Sequence, residues 1–124
     1  MKVKPTSSEL GILKVLWERG PSTVRQVHES LGTKGGGYTT TLKLMQIMAE
    51  KGLVERDERE RAHVYRAKLK QEAAQGRMVD ELVERVFGGS AAALVMRALA
   101  SRKTSRKELG EIRRMLDEYE GGRR

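Results

Sequence analysis

With 124 residues and no cysteine, the chain has room for one domain or a domain with a small appendage, and it excludes disulfides, thiolate metal sites and thiol chemistry. Lysine and arginine, 25 together against 17 acids, give a net charge of +8, which favours a polyanionic partner such as nucleic acid over small neutral or acidic molecules. No apolar stretch follows the basic start MKVKPTSSEL and no run of about 18 apolar residues occurs, so neither a signal peptide nor a membrane span is expected and the location expected is cytoplasmic.

From Thr6, TSSELGILKVLWERG carries a capping-box pattern, Thr6 with Glu9 three residues on, and places Leu10, Leu13, Leu16 and Trp17 at helical spacing. Gly20-Pro21 stops this first helix. STVRQVHESLG repeats the device with Thr23 and Gln26, turns Val24, Val27 and Leu31 inward and stops at Gly32. TKGGG reads as a flexible loop, and it lacks the Gly-Lys-Thr ending of a phosphate loop. A third helix then runs from Tyr38 and ends at Gly52, the expected place for a left-handed cap.

LVERDERERAHVYRA follows as a hairpin: LVER, a charged turn around Asp57 to Arg61, then AHVYRA, with Val64 out of phase with His63 and Tyr65. Three helices and a two-stranded wing are the order of a winged helix-turn-helix, expected over residues 1–67. From residue 68 the pattern is helical only: Met78, Leu82, Val83, Val86 and Phe87 form one stripe, SAAALVMRALAS is a short apolar helix with Leu94, Val95 and Leu99, and a last helix capped by Ser105 with Glu108 carries Leu109, Ile112, Leu116 and Tyr119. So thin a core calls for a partner surface, and residues 68–124 read as a dimerisation module whose interface these apolar residues supply. The fold class is mainly α with a small β wing.

Net charge does not say which half meets a polyanion, because residues 1–67 and 68–124 each carry +4. The third helix does. It begins Tyr-Thr-Thr-Thr, although threonine is a mediocre helix former. At 100° per residue, Leu44, Met45 and Met48 lie within roughly 60° of Thr41 and face the core with it. The opposite side presents Thr39, Lys43, Gln46 and Glu50, flanked by Thr40 and Ile47, with no acid before the last turn. Small hydroxyl residues let a helix approach base edges closely, and a threonine methyl can meet a thymine methyl. Thr39, Thr40, Lys43 and Gln46 are the expected base readers. Tyr38, at an amino end suited to phosphate, joins Arg59, Arg61 and Arg66 of the wing as expected backbone contacts, although interleaved Glu55, Asp57, Glu58 and Glu60 also fit a merely solvated face.

The two histidines, His28 and His63, have neither a second histidine nor a paired carboxylate at ligand spacing. His28 is expected at the surface and His63 on an exposed strand. No nucleophile, base and orienter can be assembled around them, so neither an enzyme nor a metal or cofactor site is expected.

TSSELGILKVLW, STVRQVHESL, GYTTTLKLMQIMAEKGLVERDERERAHVYRA and FGGSAAALVMRALA resemble the penicillinase-repressor family, the BlaI/MecI/CopY group of winged-helix repressors, over nearly the whole chain. The resemblance implies a homodimer joined through its C-terminal helices and an inverted-repeat operator, often with TACA and TGTA half-sites. Ile47 stands where relatives often place a basic residue. Arg97-Ala98 stands where antibiotic-resistance members are cut at an Asn-Phe step, so that switch is not carried over, and the cysteine pairs of the copper-responsive branch have no counterpart. The function expected is a homodimeric, sequence-specific repressor of double-stranded DNA. Two other readings stay open: a winged-helix adaptor for another protein, suggested by the acid-rich wing, and a sequence-indifferent nucleic-acid binder, suggested by charge alone.

Overall fold

The computed structural model describes residues 4–121. Its chain divides into two compact units, one ending at Asp80 and one beginning at Glu81. The first contains α1 (Ser7–Arg19), β1 (Ser22–Thr23), α2 (Val24–Leu31), a 3-10 turn (Gly32–Gly35), α3 (Tyr38–Lys51), β2 (Val54–Asp57), β3 (Val64–Ala67) and the start of α4 (Gln71–Arg85).

Both expected capping boxes form. Thr6 Oγ1 accepts the Glu9 N–H at 3.2 Å while Glu9 Oε1 accepts the Thr6 N–H at 2.9 Å. Thr23 and Gln26 make the same reciprocal pair at 3.1 and 2.9 Å. Each box satisfies donors that a helix start otherwise leaves open, and losing a cap costs about 1 kcal/mol. At its other end α3 stops on Gly52, whose φ of 81° lies in the left-handed region that a side chain disfavours.

Ile12, Leu13 and Leu16 of α1, Val24 and Val27 of α2, and Met45 and Met48 of α3 enclose the core with Leu53, Val54 and Tyr65. Leu10, on the expected inward stripe, is only half-buried, and Ile12 takes the interior place. Trp17 closes the edge, its Nε1–H donating to the Leu69 carbonyl at 2.9 Å.

The expected hairpin is part of a three-stranded antiparallel sheet in the order β1-β3-β2. Ser22 pairs with Tyr65 and Thr23 with Val64, so the wing is anchored through the cap of α2. The expected glycine loop is also more ordered than its composition suggests: it includes the 3-10 turn, where Gly35 lies so close to Leu31 that an added Cβ would stand 2.8 Å from the leucine Cβ. Close approach, rather than flexibility, is what that glycine provides.

One ion pair ties the two ends of this unit's helical layer together. Glu9 is 2% exposed, and Lys51, at the last residue of α3, reaches it with Nζ 2.8 Å from Oε2 and 3.1 Å from Oε1. Burial pushes the Glu9 carboxyl up, but the hydrogen bond and charge of Lys51 and the Thr6 bonds outweigh it, so its pKa lies below the ordinary 4.5.

The second unit holds the rest of α4, α5 (Ala91–Ser101) and α6 (Arg106–Gly121). Ser90 caps α5, its Oγ accepting the Ala93 N–H at 3.0 Å, and Ser105 with Glu108 caps α6 as expected. The end of the expected last helix, residues 122–124, lies outside the described residues. From Glu81 to Gly121 no side chain is fully buried. No described helix is long and apolar enough to cross a membrane.

The Glu9 carboxylate, depressed in the folded state, contributes stability that is fully present above about pH 4.5 and is lost as pH falls through the folded value. Lys51→Met is expected to cost about 1–3 kcal/mol at neutral pH by leaving that buried charge unpaired. Glu9→Gln, which keeps the capping box, is expected to cost less and to flatten the acid limb; urea midpoints between pH 2 and 7 measure both.

Candidate nucleic-acid interface

The three threonines that open α3 separate by face. Thr41 is fully buried; its Oγ1 donates to the Gly37 carbonyl at 3.5 Å and meets His28 Nδ1 at 3.2 Å. Thr39 and Thr40 are exposed, as are Lys43 and Gln46, while Ile47 and Leu42 are half-buried beside them. Met45 and Met48 face inward with Thr41 as the rotation about the helix axis requires, and Leu44 is half-buried. The first acid on the outer face is Glu50, in the last turn.

Tyr38, half out of the protein, joins α3 to α2. Its ring meets the His28 ring edge-on at 5.7 Å and 83°, and the Arg25 guanidinium carbon lies 5.2 Å from the ring centre. His28, expected at the surface, is therefore a half-buried bridge between Thr41 and Tyr38. Burial follows from its place at α2's contact with the start of α3, which helical periodicity within α2 alone does not reveal.

Between α3 and the wing runs a groove of about 370 Å³ lined by Tyr38, Leu42 and Gln46 on one side and by Arg56, Arg61 and His63 on the other, with Arg25 at its edge. None of its lining residues is acidic. Such a groove, with an acid-free helix face beside it, is electrostatically suited to a polyanion. Arg25 and Arg56 escaped the sequence reading. Arg25 did leave a signal: a cation in the first turn of a helix opposes the macrodipole, a placement that calls for another reason.

The wing arginines do not share one environment. Residues directly opposite in an antiparallel pair project to the same face, which groups Arg56 with Tyr65 and Glu55 with Arg66. Arg61 lines the groove. Arg66 instead faces Glu55, with Nε 3.5 Å from Oε1. Arg59 clasps Asp57, with Nη2 2.7 Å from Oδ2 and Nε 3.0 Å from Oδ1, and its backbone N–H donates to the same Oδ1 at 3.0 Å. The Arg59 bonds hold the Asp57 carboxyl down at about 2. Arg56 is bound by Tyr65 and Glu58, which keep its guanidinium more firmly protonated than usual.

The residues expected to form an interface between copies lie in the helices that follow. Leu82, Val86, Val95, Leu99 and Leu116 are exposed; Met78, Val83, Phe87, Leu94, Leu109 and Ile112 are half-buried. Among the described residues, no cluster of three or more histidine, aspartate or glutamate side chains could hold a metal ion.

Residues 5–118 match the penicillinase-repressor family. The chain belongs to that family. It is 35% identical over 117 residues to the transcriptional regulator BlaI of Mycobacterium tuberculosis, in strains CDC 1551 / Oshkosh and ATCC 25618 / H37Rv, a match that covers 92% of this chain and 83% of the relative. Penicillinase repressors are DNA-binding transcriptional regulators rather than enzymes, and this chain is one of them. The winged-helix order of the first unit and its acid-free groove are in keeping with that membership.

Because the first turn of α3 divides its threonines between a buried and an exposed face, removing one hydroxyl has unequal consequences on the two. Thr41→Val keeps the shape but leaves His28 Nδ1 and the Gly37 carbonyl without that partner, an expected loss of about 1–2 kcal/mol. Thr39→Val is expected to stay within about 0.5 kcal/mol of the unaltered protein. Urea denaturation of the two variants side by side measures the difference.

Proposed function

We propose that the protein is a homodimeric repressor that acts in the cytoplasm on an inverted-repeat operator, laying the outer face of α3 in the major groove. In this reading Thr39, Thr40, Lys43 and Gln46 meet base edges, while Tyr38, Arg61 and the newly recognised Arg25 meet phosphates. Arg59 and Arg66 are further phosphate contacts once released from their carboxylates. The observation that carries the proposal is the division of α3 into a sealed side, Thr41, Met45 and Met48, and an exposed polar side without an acid before Glu50.

Pairing of two copies is assigned to the helical segment from residue 68 onward. Its support is the exposed apolar surface of the second unit, where Val86 is 65% and Tyr119 68% exposed and Leu82, Val95, Met96, Met115 and Leu116 accompany them. Surface of this kind, together with the absence of any buried side chain from Glu81 to Gly121, is what a partner helix would cover. A C2 dimer would present two α3 helices related by the same symmetry as a palindromic site.

The adaptor reading rests on one observation, the acids of the wing, and would be favoured if no duplex were bound specifically. Selection of duplexes from a random pool by the full chain decides between the two and returns the operator sequence. On the winning duplex Lys43→Ala is expected to weaken binding roughly tenfold or more, and affinity is expected to fall steeply with salt. An unaltered Lys43→Ala titration would count against the proposed role of α3. Val86→Glu combined with Leu116→Glu is expected to shift the sedimenting species from twice the chain mass to the chain mass of 14.0 kDa; a species that is monomeric before the change would remove the dimer from the proposal.

A further inference from the structure

The wing of this basic protein is electrically neutral. Between Val54 and Ala67 four acids, Glu55, Asp57, Glu58 and Glu60, stand against four arginines, Arg56, Arg59, Arg61 and Arg66, within a chain of net charge +8. Three of the four arginines are matched by a carboxylate: Arg56 Nε lies 2.6 Å from Glu58, Arg59 Nη2 2.7 Å from Asp57, and Arg66 Nε 3.5 Å from Glu55. Arg59 and Arg66 are not held by burial, their side chains being 86% and 60% exposed, whereas Arg56 is 34% exposed.

We infer that Glu55, Asp57 and Glu58 set the specificity of DNA recognition by occupying wing arginines that would otherwise bind phosphate of any sequence. This inference rests on the protein's binding of duplex DNA. Attraction of a cationic surface to the phosphate backbone is indifferent to sequence, and it grows with every guanidinium free to displace a counterion. A carboxylate and a phosphate compete for the same planar fork of N–H donors. An arginine already bonded by a carboxylate gives up that bond to take a phosphate, so its net contribution to a random duplex is small. The base-reading residues of α3 carry no such brake, because no acid shares their face before Glu50. Wing acids therefore lower the background more than they lower operator binding, and the ratio of the two rises.

Asp57 is the sharpest point at which to test this, because Arg59 reaches it through both Nε and Nη2. Asp57→Asn removes the charge yet retains a side-chain oxygen to accept the Arg59 N–H, which preserves the turn; circular dichroism on heating checks that the fold persists. Glu55→Gln does the same for Arg66. Fluorescence anisotropy of the full chain, titrated across salt against a random-sequence duplex and against the duplex selected by the unaltered protein, gives both affinities.

For Asp57→Asn the random-duplex affinity is expected to rise several-fold, with log K against log salt steeper by roughly one unit, and selected-duplex affinity to rise by less. Asp57→Asn with Arg59→Gln is expected to return the slope to its original value. Glu29→Gln, which adds the same charge at an exposed position on α2, is expected to leave that slope unchanged. An unaltered random-duplex titration for Asp57→Asn, an equal gain from Glu29→Gln, or a gain that survives Arg59→Gln would each overturn the inference. Should the pool yield no preferred duplex, the operator proposal fails and the specificity claim fails with it, while the random-duplex titrations still decide whether the carboxylates restrain the wing arginines.

Discussion

A helix can read a groove only if it is prevented from turning about its own axis, and α3 is held at both ends. At its start the buried Thr41 hydroxyl sits between the Gly37 carbonyl and His28, and Tyr38 is pinned by the His28 ring and the Arg25 cation of α2. At its finish Lys51 bonds the buried Glu9 of α1, and Gly52 turns the chain away in a left-handed cap. Between these points Met45 and Met48 fill the core. Each restraint is modest alone, but a rotation of α3 would break them together, since it would expose the methionines and strand both polar contacts in the interior. Threonine's poor helix propensity is then a small cost, a fraction of a kcal/mol per residue, set against the rigidity of the face.

Charge is distributed with the same economy. Net charge of +8 would by itself make a protein cling to any polyanion. Here the groove beside α3 has an acid-free lining, while the wing that borders it is neutral, three of its four arginines being paired with carboxylates. The exposed pairs contribute little to folding stability, because solvent screens them and side-chain order opposes them. Their consequence lies in what the arginines are free to do. A wing of the same length with uncharged residues in place of its acids would bind more tightly and discriminate less.

Local patterns were legible in the sequence and distant ones were not. Both capping boxes, the C-cap at Gly52 and the burial of Thr41 each depend on residues within one or two turns, so spacing alone revealed them. Glu9 illustrates the limit. Its position three residues after Thr6 marks it as a cap, but its burial depends on a lysine 42 residues away. Strand β1 is two residues long and ends on the cap of α2, too short to leave any alternation. Arg59 meets Asp57 and Arg56 meets Glu58 two residues along the chain, but Arg66 meets Glu55 only through the strand register, which a turn without glycine does not declare. His28 looked solitary because its partners belong to α3.

The second unit obeys a different constraint from the first. Helices α5 and α6 are well capped, so their local structure is not in question. What they lack is an interior: from Glu81 to Gly121 no side chain is sealed from water, while valine, leucine and methionine stand open. Propensity and capping make a helix persist only marginally in water; burial of its apolar face supplies most of the stability of helices in proteins. A segment with sound caps and no enclosed core is therefore half of a packing problem, whose remaining half lies on another surface. Under the proposal that two copies address DNA as a symmetric pair, a second copy of the same segment is the simplest such surface, because one set of apolar residues then serves both sides of the interface. Coupling the stability of these helices to the pairing of two reading heads would make the isolated chain a poor DNA binder, and operator occupancy would depend on protein concentration more steeply than a single head allows.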